Sequence, residues 1–312
     1  MKIVFMGTPD FAVGCLKEMI ENDLQIVAVV TTPDKPAGRG RKLRASAVKE
    51  YALENNLPVL QPDNLKDESF IEALASYNAD LFVVVAFRML PKAIWAMPPK
   101  GTFNLHASLL PKYRGAAPIN WAIIQGEKES GVTTFLLDEN IDTGAILLSD
   151  KVEITESETA GTLHDKLLDI GSSLIVKTVA HLASGNANPE PQKDIEGITY
   201  APKLNSDNTR IDWNKEGKEI ELHIRGLSPY PSAWTELEEN GERKKVKIYF
   251  AKFVKDEHNL EIGTIVASKK ELKVAVAKGF INIEEMQMPG RRKMPIQDIC
   301  NGYTFSENAK MC

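Results

Sequence analysis

Three stretches of the chain, residues 3–6 (IVFM), 25–31 (QIVAVVT) and 81–86 (LFVVVA), are apolar at almost every position instead of every second one. A strand wetted on one face alternates. A strand that does not alternate has both faces covered, the condition met in a parallel sheet with helices above and below. Residues 101–106 (GTFNLH) and 132–137 (VTTFLL) read as two more strands. Helix-periodic segments lie between, the first marked by Phe11, Leu16 and Ile20. This strand–helix–strand rhythm predicts an α/β chain whose amino-terminal domain is Rossmann-like and doubly wound.

The pattern changes past residue 184. A long helical stretch over 160–184, with Leu163, Leu167, Ile170, Leu174, Val176, Val179 and Leu182, gives way to SGNANPEP at 184–191, a linker by composition. Beyond it the chain is β-rich. Asn240-Gly241 sits between the strand-like runs 234–237 and 246–250, a strong short hairpin signal, and further strands fall at 263–267, 272–277 and 280–286. Short strands at this density predict a small carboxy-terminal β-barrel, OB-like in type. The expected organisation is a catalytic domain over 1–189, a linker over 190–206 and the barrel over 207–312.

Whole function classes drop out on simple counts. No run approaches the roughly 20 apolar residues that span a bilayer, so no membrane role is expected. The opening residues Met1–Gly7 read as a first strand, not as a signal peptide. Cys15, Cys300 and Cys312 are odd in number and far apart, which argues for a reducing cytoplasm and against a disulfide framework or a zinc site. HExxH, GxSxG and GxxxxGK[ST] are absent, and residues 7–14 (GTPDFAVG) do not make the GxGxxG turn of a dinucleotide site. The 312 residues carry 38 Lys and Arg against 43 Asp and Glu, a net charge of -5. That total excludes an all-round nucleic-acid coat but not a local basic patch.

Such a patch is present. From Pro33 to Arg44 the cations Lys35, Arg39, Arg41, Lys42 and Arg44 face Asp34 alone, with Gly38 and Gly40 between them. Guanidiniums bind phosphate in bidentate fashion, and a loop dense in them suits a nucleic-acid contact. In the barrel segment, Arg243-Lys244-Lys245-Val246-Lys247 and Arg291-Arg292-Lys293 concentrate base again. A basic track from loop to barrel is the expectation.

Polar clusters follow three of the predicted strands: Gly7–Asp10, Asn104–Ser108 and Asp138–Thr143. In doubly wound sheets ligands bind beyond the carboxyl ends of the strands. Asn104 and His106, two apart on one strand, emerge on the same face while Phe103 and Leu105 take the other. An amide donor beside an imidazole can stabilise an oxyanion and handle a proton without a metal. Asp142, in Asp-Thr-Gly, reads on its own as a turn residue.

The segment 104–119 (NLHASLLPKYRGAAPI) resembles the signature of the folate-dependent formyltransferases, and three more stretches resemble the branch acting on methionyl-tRNA: 7–12 (GTPDFA), 33–43 (PDKPAGRGRKL) and 138–144 (DENIDTG). The resemblance implies transfer of the formyl group of 10-formyltetrahydrofolate to the amine of initiator methionyl-tRNA, without a metal, and nothing in the sequence demands more than a monomer. It implies Asn104, His106 and Asp142 as the catalytic set. Ser108, Leu109, Leu110 and Pro111 form the folate-contacting loop, and Arg39, Arg41 and Lys42 the tRNA contacts, Arg39 first. Phe87-Arg88 stands where many relatives carry Tyr-Gly. Other acceptors within the family fit less well. Glycinamide ribonucleotide enzymes end with the first domain, and the amino-sugar enzymes, like the formyl-folate hydrolases, are expected to lack the basic loop. A non-catalytic RNA-binding module predicts a damaged site, and a dehydrogenase predicts the glycine fingerprint that residues 7–14 lack.

Overall fold

The computed structural model describes residues 1–37, 42–193 and 197–312. In chain order the first elements are β1 (Ile3–Gly7), α1 (Asp10–Glu21), β2 (Ile26–Val30), β3 (Lys35–Ala37), β4 (Lys42–Arg44), α2 (Ala47–Glu54), β5 (Val59–Leu60), α3 (Glu68–Ser76) and β6 (Leu81–Val85). Next come α4 (Lys92–Trp95), β7 (Thr102–His106), β8 (Arg114–Gly115), α5 (Pro118–Ile124), β9 (Glu129–Leu136), β10 (Ile146–Glu153), α6 (Ala160–Ala183) and β11 (Tyr200–Ala201). The rest are α7 (Gly217–Leu227), β12 (Ala233–Glu239), β13 (Glu242–Lys255), β14 (Ile265–Ala267), β15 (Leu272–Val276), β16 (Gly279–Gln287), β17 (Met294–Pro295), α8 (Ile296–Gly302) and β18 (Lys310–Met311).

By internal packing the chain forms two units. One comprises Met1–Gly115, Glu129–Val152 and His164–Tyr200, the other Ala116–Lys128, Glu153–Leu163 and Ala201–Cys312. The first is built on a seven-stranded sheet of order β10-β9-β7-β6-β1-β2-β5. The chain leaves β1 toward β2 and β5, then returns to lay β6 and β7 on its other side, so strand order reverses beside β1. β1, β2, β5, β6 and β7 run parallel. Every residue of β1 and of β6 is buried, as their unbroken apolar sequences require. On one face Val4, Met6, Ala28, Phe82 and Val84 pack with Phe70 and Leu74 of α3 and Ile94 of α4. On the other, Gly171 of α6 meets Leu105 and Val132. Each fully buried side chain of this size contributes about 1.5–3 kcal/mol.

β9 departs from the parallel run of β1, β2, β5, β6 and β7. It lies antiparallel to β7, with Phe103 opposite Leu136 and His106 opposite Thr133. Its carboxyl end therefore sits level with the start of β7, and the Leu137 amide donates to the Thr102 carbonyl at 2.8 Å. An antiparallel edge on a parallel sheet is common, and the apolar run 132–137 carries no record of strand direction.

The second unit holds an antiparallel sheet of order β14-β15-β16-β13-β12-β18. A bridge between Thr264, just before the first strand, and Lys310 in the last rolls the sheet into a nearly closed barrel. The Asn240-Gly241 hairpin forms as read, with both residues at positive φ (51° and 81°), the pairing a two-residue turn between twisted strands demands. Leu237, Val246, Ile248, Val274, Ile281 and Ile283 fill the interior, and α7 covers it with Ile220, Ile224 and Leu227.

Candidate active site

Asn104 and His106 lie on β7, and their neighbour Leu105 packs toward α6, so the two polar side chains take the opposite face of the sheet. The Asn104 side chain is half-buried and makes no hydrogen bond to another side chain or backbone group among the described residues. His106 is buried at 6% exposure, and its Nε2 lies 2.8 Å from the Tyr113 carbonyl oxygen. A carbonyl only accepts, so Nε2 carries a proton and the edge of the ring left open is Nδ1. Nδ1 faces Asp142 Oδ2 at 3.8 Å, too far for a direct hydrogen bond and close enough for charge to act.

Asp142 comes from the excursion between β9 and β10. That excursion begins at the opposite end of β7 from His106 and folds back to reach it. Two features allow the return. Gly144 lies so close to the Leu136 carbonyl that a Cβ would overlap it. Asp142 itself takes a left-handed backbone, φ 56°, tolerated by Asp better than by most residues. The Asp142 carboxylate accepts from the Gly115 amide at 2.9 Å. Asp138 caps the start of the loop, accepting from the Asn140 amide and the Thr143 hydroxyl.

The segment Tyr113–Gly115 thus touches both partners, His106 through a carbonyl and Asp142 through an amide. A third link passes through Gln192, a residue given no role from the sequence. Its Nε2 donates to the carbonyls of Asp142 and Gly144, both at 2.9 Å. Its Oε1 accepts from Arg114 Nε at 3.1 Å and Nη2 at 2.6 Å. A bridge between Glu190 and Ile146 at the start of β10 carries the chain to this point. A single Gln in a Pro- and Asn-rich stretch leaves no periodic or motif signal by which sequence reasoning finds it.

Next to the set, the loop 108–111 is pinned from two sides. Ser108 is fully buried, its hydroxyl donates to the Lys112 carbonyl at 2.7 Å, and its own carbonyl accepts from Thr133 Oγ1 at 2.7 Å. Thr133 Oγ1 in turn accepts from the Leu110 amide at 3.2 Å. Leu110 is buried, Leu109 is half-buried against Gly131, and the Leu110–Pro111 peptide is cis. Arg88 reaches back from the end of β6 to the carbonyls of Pro62 (2.7 Å) and Asp63 (3.1 Å), its guanidinium near the Phe87 ring.

The basic loop frames a hairpin. β3 and β4 pair antiparallel, Lys35 opposite Arg44 and Pro36 opposite Leu43. Arg39 and Arg41 lie outside the described residues, and Lys42 opens β4. At the base, Asp34 accepts from Lys49 at 2.7 Å and Gln61 at 2.8 Å, and the Thr31 and Ser46 hydroxyls share a hydrogen bond of 2.7 Å. Hydrogen bonds from Lys49 and Gln61 hold the Asp34 carboxyl below its usual range. In the barrel, Arg243 pairs with Glu238, Lys293 pairs with Glu285, and Lys245 lies 3.7 Å from the centre of the Trp234 ring. Among the described residues no group of three or more His, Cys, Asp or Glu could hold a metal ion, and no helix is long and apolar enough to cross a membrane.

A family model described as Formyl transferase matches residues 1–179, and one described as Formyl transferase, C-terminal domain, matches residues 203–304. Fold and matched domains together define a formyl-transferring enzyme. The methionyl-tRNA formyltransferase of Flavobacterium johnsoniae is 53% identical over 311 residues, covering 100% of this chain and 99% of its own. That of Bacteroides thetaiotaomicron is 47% identical over 316 residues, covering 100% and 98%. Among solved structures, HypX from Aquifex aeolicus in complex with tetrahydrofolic acid aligns with a TM-score of 0.66 at 18% identity, over 96% of this chain and 47% of that one. The chain belongs to the methionyl-tRNA formyltransferase family.

Proposed function

We propose that this chain transfers the formyl group of 10-formyltetrahydrofolate to the free amino group of methionine on initiator methionyl-tRNA, giving formylmethionyl-tRNA for translation initiation. The observation that carries the reading is the full-length likeness to methionyl-tRNA formyltransferases, 53% identical over 311 residues. The presence of Asn104, His106 and Asp142 together supports it.

In this reading the neutral α-amine attacks the formyl carbon, a carbon–nitrogen bond forms, and the carbonyl oxygen gathers negative charge. Asn104 offers its amide N–H to that oxygen. Protonated His106 offers Nδ1–H, because its Nε2–H is committed to Tyr113. Asp142, 3.8 Å from Nδ1, is the counter-charge for the imidazolium and helps take the proton shed by the amine, directly or through water. The tetrahedral carbon then re-forms its carbonyl and expels the tetrahydrofolate nitrogen, which takes up the proton shed by the amine, returned from Asp142 directly or through water.

The donor is seated against the loop of Ser108, Leu109, Leu110 and Pro111, of which Leu109 and Pro111 are half-buried. Arg39, Arg41 and Lys42 engage tRNA phosphates. The enzyme works in the cytoplasm as a monomer and uses no metal. Purified protein given 10-formyltetrahydrofolate and methionyl-tRNA should release formylmethionyl-tRNA, and an amino-sugar nucleotide added as competing acceptor should stay unformylated. Formylation of the sugar in preference to the tRNA would overturn the reading.

A further inference from the structure

We infer that Gln192 is a positioning residue that, braced by Arg114, sets where the Asp142 carboxylate stands relative to His106. The inference rests on the reading of Asp142 as a member of the catalytic set.

The Gln192 side chain has two N–H donors and two acceptor lone pairs, and all four are used. The donors take the carbonyls of Asp142 and Gly144, and the acceptors take two N–H groups of Arg114. The partners fix the amide orientation, since a guanidinium only donates and a carbonyl only accepts. Arg114 is flanked by Tyr113, whose carbonyl holds His106, and Gly115, whose amide holds the Asp142 carboxylate. Asp142 is therefore gripped twice from one short stretch of chain, at its carboxylate by Gly115 and at its backbone by Arg114 acting through Gln192. The second grip is needed because Asp142 has a left-handed backbone at the far end of an exposed excursion in which Ile141 is 59% exposed. A single hydrogen bond from the Gly115 N–H to the carboxylate does not hold the backbone of residue 142, and a displacement of about 1 Å from reacting geometry costs on the order of 100-fold in rate.

The two arms of the clamp can be cut separately. Gln192→Glu keeps an acceptor for Arg114, now as an ion pair, and removes both donations to the 142–144 backbone. Arg114→Ala keeps those donations and removes the brace. The expected result for Gln192→Glu is a fall in kcat of about 10- to 100-fold, with KM for 10-formyltetrahydrofolate and for methionyl-tRNA changed by less than about threefold. Gln192→Ala, measured beside it, should show the same split, and serves in its place should the Glu variant fail to melt cooperatively. In an Asp142→Ala background the Gln192 substitution should cost almost nothing further, because its effect passes through Asp142.

Wild-type kcat in folded Gln192→Glu or Gln192→Ala would overturn the inference. So would a full additional loss in the Asp142→Ala background. Wild-type turnover in Asp142→Ala alone would instead defeat the underlying assignment of Asp142. The two failures are thereby told apart.

Discussion

His106 Nδ1 and Asp142 Oδ2 face each other across 3.8 Å while the opposite edge of the imidazole is spent on the Tyr113 carbonyl. The gap leaves Nδ1 without a direct hydrogen-bond partner in the ion-pair geometry, and so with capacity to give to a reacting oxygen. The carboxylate stays near enough to balance the charge.

His106→Ala and Asp142→Ala should each lower kcat by about 100-fold or more while binding of tRNA is retained, since the roles proposed for both groups lie in the reaction and not in docking. Single-turnover formylation, paired with a filter-retention assay for tRNA, separates the two effects. Near-normal turnover in either variant removes that residue from the catalytic set.

Gly144→Ala should be among the most damaging conservative changes in the first unit. The added methyl overlaps the Leu136 carbonyl, a backbone atom that cannot step aside cheaply, so the loop must shift and take Asp142 with it. Overpacking of this kind costs about 1–3 kcal/mol in stability. The kinetic loss should exceed what that destabilisation explains at a temperature where the protein remains folded. A variant that is destabilised yet fully active would show that the loop tolerates the shift.

Arg39→Ala should raise KM for methionyl-tRNA and leave KM for 10-formyltetrahydrofolate unchanged. Steady-state kinetics with each substrate varied in turn decides it. Equal activity at low tRNA concentration would mean that the loop does not read the substrate.

Asp34→Ala should produce the same kind of defect from the base of the hairpin, because it removes the acceptor for Lys49 and Gln61. The Asp34 carboxyl is held below its usual range in the folded chain. The clamp is therefore fully present above the ordinary Asp value of about 4, and is lost as pH falls through the lowered value of the folded state. A carboxyl titration followed by NMR should place Asp34 below the ordinary Asp value, and Lys49→Met should move it up. An unchanged midpoint in Lys49→Met would show that the ion pair contributes nothing.

The parts of this architecture that could be read in advance are those written locally. Unbroken apolar runs announced β1, β2 and β6, and the asparagine–glycine turn announced β12 and β13, since burial and φ are imposed residue by residue. The pairing of Asn104 with His106 on one face followed from strand geometry alone. The direction of β9 did not follow, because an apolar run packs equally well either way and only its neighbour settles the matter. The return of Asp142 depended on that direction, on a glycine pressed against a carbonyl and on Gln192, some fifty residues away in sequence. No local pattern encodes such a meeting. The hairpin anchors Asp34, Lys49 and Gln61 were hidden for the same reason, as three unremarkable polar residues in three separate segments.

The bridge between Thr264 and Lys310 has a consequence for how the barrel can meet another molecule. A rolled sheet left open would expose two rows of unpaired backbone groups, inviting any extended chain to add itself as a further strand. The bridge narrows that opening and shifts the means of contact toward side chains. Such a surface can be retuned one residue at a time, because the ladder beneath does not take part in the bargain.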